Sequence, residues 1–154
     1  MEIIEGRIVV ETIMRVSVLL IMLISALQDL REKKIDIIFP LACGLISVFW
    51  CIYDIAFCGG DIKFIIMSIL PGTIILMLSK LLKIGIGEGD GLMVLLAGPV
   101  FGPVPVLTGI TVAFAFSAVA GIFLLIFGKA TLKSKIAFLP YLTAGMGVIS
   151  FAFI

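Results

Sequence analysis

The amino-acid sequence predicts an all-α protein, a polytopic transmembrane helix bundle of about six spans. Three observations predict it. Of 154 residues, 62% are hydrophobic and only 14% charged, where a soluble domain averages about 45–50% apolar and about 25% charged. The mean hydropathy is +1.36. The apolar residues gather into six stretches separated by polar breaks. Such a chain has too few polar groups to cover a water-facing surface, which excludes a soluble enzyme and a disordered segment. A formal net charge of +1 leaves no electrostatic footprint for nucleic acid. The partner implied by composition is the lipid bilayer. With no repeat, low-complexity tract or soluble appendage, residues 1–154 read as a single integral-membrane domain.

The first apolar segment runs from about Ile8 to Gln28. The N-terminus is acidic first and basic later, with no small-residue cleavage site, so this segment is expected to be a permanent helix. It carries Glu11 and Arg15 at i,i+4 spacing, the acid on the favoured N-terminal side. Its uninterrupted apolar part, Val16 to Leu27, is short for a span. The first turns are therefore expected among the headgroups, with Arg15 snorkelling. The second segment runs from about Ile35 to Phe57, and Trp50 and Tyr53 near its end suit an interfacial aromatic belt. The third spans about Ile62 to Leu82, with Pro71-Gly72 inside it, a break that membrane bundles tolerate. The fourth starts after Asp90 and reaches about Val100, too short to cross alone unless it continues through Phe101-Gly102-Pro103. The fifth covers about Val104 to Phe127 and the sixth about Ile136 to Ile154.

Loop charge sets the orientation. Arg31, Lys33, Lys34, Lys80, Lys83, Lys129, Lys133 and Lys135 all fall on one side of a six-span arrangement, leaving only Arg7, Arg15 and Lys63 for the other. The odd-numbered loops are expected to be cytoplasmic and both termini outside, in the cell membrane.

The chain has no His, which removes the commonest general base and the commonest metal ligand. Cys43, Cys51 and Cys58 form no CxxC pair and read as small buried hydrophobes rather than a zinc site. No metal and no cofactor is expected. The aspartates are more informative. Asp54 and Asp61, beside Gly59-Gly60, read as solvated loop residues. Asp29, Asp36 and Asp90 lie at helix ends on the expected cytoplasmic side, where a carboxylate at membrane depth is costly and a functional candidate by default. Asp90 stands in Gly87-Glu88-Gly89-Asp90-Gly91. Glycines there leave the backbone at Gly87 and Gly89 open to a substrate peptide. The competing reading is a turn with Asp90 as the helix N-cap. Asp29 directly adjoins the first apolar span and opens Asp29-Leu30-Arg31-Glu32-Lys33-Lys34-Ile35-Asp36. The basic residues of that run are accounted for by topology. Two carboxylates near one water make an acid–base pair, because like charges at close range cannot both ionise. That chemistry needs neither His, Ser nor metal.

In three places the chain resembles the type IV prepilin peptidases, intramembrane aspartyl proteases of the GxGD kind. Asp29-Leu30-Arg31, ahead of the second span, resembles the family's first catalytic motif, an Asp-x-Arg followed by Ile-Pro-Asn. Gly87-Glu88-Gly89-Asp90, with Leu95, Leu96 and Gly98 after it, resembles the second. Phe138-Leu139-Pro140-Tyr141-Leu142, with Gly145, resembles the closing Pro-Phe segment of the last helix. The resemblance covers essentially the whole chain in motif order, spacing and number of spans. It implies that Asp29 and Asp90 are the catalytic pair, with no cofactor. It also implies that the substrate is a prepilin or pseudopilin, losing its basic leader at the cytoplasmic membrane face. Arg31 is a candidate for orienting a carboxylate or contacting substrate or anionic lipid. Many members carry a methyltransferase region with cysteine pairs. This chain lacks them and resembles the short, peptidase-only form found with tight-adherence (Flp-type) pili.

Two departures stand out. The family's Ile-Pro-Asn reads here Ile35-Asp36-Ile37, and its usual Lys two places after the second acid aligns with Leu92. Asp36 adds a third acid, read as solvated rather than as modulating the pair. Glu88, at the motif's variable position, has no assigned role. The competing reading of the whole chain is a catalytically inactive membrane scaffold or small transporter subunit. Acids at helix ends and the absence of a repeat disfavour transport.

Overall fold

The computed structural model describes residues 2–32, 35–82, 87–127 and 137–152. Among them every regular element is a helix: α1 (Glu2–Glu32), α2 (Ile38–Cys58), α3 (Ile62–Leu82), α4 (Glu88–Phe101), α5 (Pro103–Ile126) and α6 (Leu139–Ala152). The all-α bundle therefore stands. Helices α1, α2, α3 and α5 are each long and apolar enough to cross a membrane. Lys33, Lys34, Lys83 and the Lys129–Lys135 run lie outside the described residues.

Helix ends follow local chemistry. Helix α2 stops where Gly59 adopts a left-handed conformation (φ 66°) and turns its N–H back onto the Asp54 carbonyl. Asp61 accepts the Lys63 N–H at 3.0 Å and opens α3. Helix α3 keeps the expected bounds and continues through Pro71. Helix α4 has 14 residues, about 21 Å at about 1.5 Å per residue, short of a hydrocarbon core of about 30 Å. It does not continue into α5. Gly102 (φ 83°) separates the two, and Pro103 starts α5 at a position that needs no N–H donor.

The helices pack through small residues, as expected where lipid removes any hydrophobic drive between them. A Cβ on Gly72, Gly91 or Gly98 would run into the backbone of Leu95, Leu76 or Ser68, so α3 and α4 lie backbone against backbone. Gly145 meets the Gly109 carbonyl and Ala113 in the same way, joining α6 to α5. Ser47 on α2 donates its hydroxyl to the Leu96 carbonyl on α4. The core between them includes Val18, Met22, Cys43, Met93, Phe101, Val106, Leu139 and Leu142.

Three expectations are corrected. Arg15 does not snorkel outward. It is buried, on the α1 stripe Arg15, Val18, Met22, Ser25, Ala26 and Asp29 that faces the bundle. It pairs with Glu11 and donates to the Phe101 carbonyl at 3.4 Å. The physical reason is the short α4, whose last carbonyls end inside the bundle and need a donor. Trp50 is buried in the core rather than set in an interfacial belt, its ring 6.1 Å from that of Tyr53. Asp54 belongs to α2 and not to a loop, and binds Arg7 of α1 at 3.0 Å. Asp61 is exposed, as expected. Cys43 is buried, Cys51 and Cys58 are half-buried, and all three are free thiols.

Candidate active site

Helix α1 carries Asp29 to its last turns on the buried stripe, and α4 begins with Asp90 on its inward side. The two acids, far apart in sequence, are brought to the same end of the bundle by the packing of α1 on α4. Both are withdrawn from solvent, Asp29 to 7% and Asp90 to 4% exposure.

Each acid is held by the start of a helix. Asp90 occupies the third position of α4 rather than its N-cap, which is Gly87 in an extended conformation. The Gly87 N–H donates to Asp90 Oδ2 at 3.2 Å, and the Asp90 N–H donates to the Gly87 carbonyl at 3.1 Å. This closes the first turn reciprocally, as in a capping box. The Asp29 carboxylate faces the Leu139 N–H, at the N-terminus of α6, where unpaired amides and the helix dipole favour an anion. Pro140 follows, where a missing N–H costs nothing. The Phe138-Leu139-Pro140 segment thus serves the first acid directly, a role the sequence reading did not assign.

Asp90 Oδ1 is buried and has no protein partner. Such an oxygen is free to accept a hydrogen bond from a water or a substrate group. A pair with one acid braced by an amide and the other presenting a free oxygen can bind water between them. It can then divide general base and general acid work.

The remaining candidates sit around this pair. Gly87 is exposed, and its missing side chain would meet only Asp90 and Gly89. At Gly89 the space of a Cβ is taken by Ile35, 2.9 Å from its Cδ1. Arg31 is exposed at the end of α1, two residues beyond Asp29 and off the buried stripe. Asp36 is exposed and accepts the Gln28 side-chain amide at 2.8 Å. Leu92 is half-buried on α4. Leu95, Leu96 and Gly98 serve the packing of α4 against α2 and α3, and Gly145 that of α6 against α5.

Sequence reasoning also missed Ser25, fully buried one helical turn before Asp29 on the same stripe. Its signal was its i,i+4 spacing from Asp29. Two cavities lie away from the acids. One, of about 260 Å³, is apolar and opens between α2, α3 and α4 at Gly44, Cys51, Ile69 and Leu96. The other, of about 130 Å³, lies by Arg7, Glu11, Asp54 and Gly102. Among the described residues no group of three His, Cys, Asp or Glu side chains is arranged to hold a metal ion. No family model, curated protein or solved structure matches the chain.

Proposed function

We propose that the chain is an intramembrane aspartyl endopeptidase of the type IV prepilin peptidase kind. It removes the leader from a prepilin or pseudopilin substrate, possessing no methyltransferase activity. One observation supports the reading: Asp29 and Asp90 are both buried where α1 packs on α4, Asp90 held by the Gly87 amide and Asp29 facing the Leu139 amide. The amides come from two of the three segments that carry the family resemblance.

In this reading one carboxylate takes a proton from water while the other, protonated, donates to the scissile carbonyl. Water oxygen bonds to the carbonyl carbon, giving a tetrahedral diol. Its collapse breaks the C–N bond, and the departing amine receives a proton from the pair. A deeply buried site keeps the donors and acceptors fixed and the local dielectric low. From Arg7 to Asp29, α1 covers about 33 Å at about 1.5 Å per residue, which matches a hydrocarbon core of about 30 Å. This supports an active pair at one membrane face, and the basic loops make that face the cytoplasmic one.

The test is leader cleavage of a co-expressed prepilin by the wild type, Asp29→Asn and Asp90→Asn. Cleavage by the wild type and loss in both variants, with insertion unchanged, is the expected result. Normal cleavage by either variant removes the pair from the chemistry. No cleavage by any of them, across several pilins, turns the reading to an inactive scaffold and makes Asp36 and Leu92 the informative departures.

A further inference from the structure

We propose that Ser25 is a positioning residue for the acid pair, its hydroxyl holding a buried water against Asp29 and the free Oδ1 of Asp90. The inference rests on the reading of that pair as catalytic.

The argument begins with how hydroxyls behave elsewhere in this bundle. Thr12, Ser17, Ser68, Thr73, Thr108, Thr111 and Thr143 each donate to a carbonyl three or four residues earlier in their own helix. This is the usual way a helical hydroxyl is satisfied in an apolar setting. Ser25 does not do so. Its Oγ is buried without a partner, and the residue is 0% exposed. A hydroxyl left unsatisfied in that position is costly when its own backbone offers a carbonyl one turn away. The hydroxyl is turned toward something other than its helix.

What lies on that face is the acid pair. Ser25 precedes Asp29 by four residues on the inward stripe of α1, so their side chains are neighbours. Helix α1 packs on α4, where Asp90 Oδ1 is likewise buried without a partner, as is Gln28 Oε1 beside Asp29. Three orphan oxygens thus belong to Ser25, Gln28 and Asp90, and Gln28 is already tied to Asp36 through its amide nitrogen. A buried water is stable with two to four polar partners, and Ser25 Oγ, the Asp29 carboxylate and Asp90 Oδ1 supply three. Of the backbone groups beside the acids, the Gly87 amide is engaged by Asp90 and the Leu139 amide is turned to Asp29. Asp36 is outside, held by Gln28. Ser25 forms no covalent bond in this scheme and keeps its proton. It fixes the water from the membrane side while the acids exchange protons with it.

The test compares Ser25→Ala and Ser25→Thr with the wild type in leader cleavage. A second readout is the carboxylic C=O stretch in the infrared, recorded at acid pH and assigned by its loss in Asp90→Asn. Loss of one hydrogen bond to the water predicts roughly a ten-fold fall in kcat for Ser25→Ala with KM unchanged. Ser25→Thr restores most of the rate, and the C=O band moves in Ser25→Ala but not in Ser25→Thr. Unchanged kcat in Ser25→Ala overturns the proposal. So does a fall in both variants with the band unmoved, which marks a packing role. If the wild type cleaves nothing, the peptidase reading fails separately. The band then decides alone: a shift in Ser25→Ala sustains the hydroxyl–water–carboxyl link and a fixed band removes it.

Discussion

Gly89 and Gly87 differ in what a methyl group would cost. At Gly89 a Cβ comes 2.9–3.1 Å from the Ile35 side chain, whereas at Gly87 the nearest atom is Asp90 Oδ2 at 3.3 Å. Ile35 leads into α2, so Gly89→Ala pushes that entry away from α4 and disturbs the turn that holds Asp90. Cleavage is expected to fall about ten-fold or more in Gly89→Ala, in line with the sensitivity of positioned groups to small displacements. Adding Ile35→Ala, which vacates the space, should recover much of the rate. Equal activity in the single and double variants would show that Ile35 does not bear on the site. The pair itself predicts a bell-shaped dependence of rate on pH. At low pH both acids are protonated and no base remains. At high pH both are ionised and no acid remains. The two limbs belong to the pair rather than to either residue. Chelators and serine-directed reagents should leave the rate unchanged. At this scale the sequence was legible for the acids, because a carboxylate bordering an apolar run stands out. Ser25 was marked only by its i,i+4 spacing from Asp29, which has meaning once the inward face of α1 is known, and the Leu139 amide, a backbone group, carries no sequence signal at all.

Helix α4 owes its place to Arg15. A helix of 14 residues leaves its last carbonyls inside the bundle, and the guanidinium that serves Phe101 is itself balanced by Glu11. Arg15→Met removes the donor and leaves Glu11 with an uncompensated charge, a change that typically costs about 3–5 kcal/mol when the pair is buried. The Glu11→Gln, Arg15→Met double variant removes the stranded charge and should recover part of that loss. Thermal unfolding in detergent checks the order: wild type highest, double variant next, Arg15→Met lowest. A double variant no better than the single would mean that capping Phe101, not the ion pair, is what matters. The same element shows why several expectations failed. Hydropathy located the polar breaks well enough to fix α3, while it left open whether the fourth segment ran on through Gly102, where the chain in fact breaks. In a chain apolar on every side it says nothing about which face turns inward. Arg15, Trp50 and Asp54 were therefore placed at interfaces by their type, while the fold turned Arg15 and Trp50 into the bundle and drew Asp54 into α2 beside Arg7. The inward stripe of α1 is marked by small and polar residues rather than by the most hydrophobic ones, as packing between membrane helices favours.

The whole molecule has two polar ends separated by an apolar middle. Arg7 and Asp54 join α1 to α2 at one end, and Asp29, Asp90 and the Leu139 amide join α1, α4 and α6 at the other. A prepilin leader is basic and its cleavage point is followed by a hydrophobic helix, so the acid pair has to open toward the side from which the leader arrives. If loop charge sets the orientation, that is the cytoplasm, and Asp61, beside the Arg7–Asp54 end, lies outside. The matter is decided by labelling Asp61→Cys and Ser134→Cys, one at a time, in a chain whose Cys43, Cys51 and Cys58 are replaced by Ala. An impermeant thiol reagent added to intact cells should modify Asp61→Cys and spare Ser134→Cys, with the pattern reversed in inverted vesicles. The reverse result would put the acid pair on the outer face, where an uncleaved basic leader is not presented. It would sink the peptidase reading together with the orientation, even if the geometry of the pair were correct. The inactive-scaffold alternative predicts no particular side for the pair, so the labelling tests the proposed chemistry through the one property of the bundle on which substrate delivery depends.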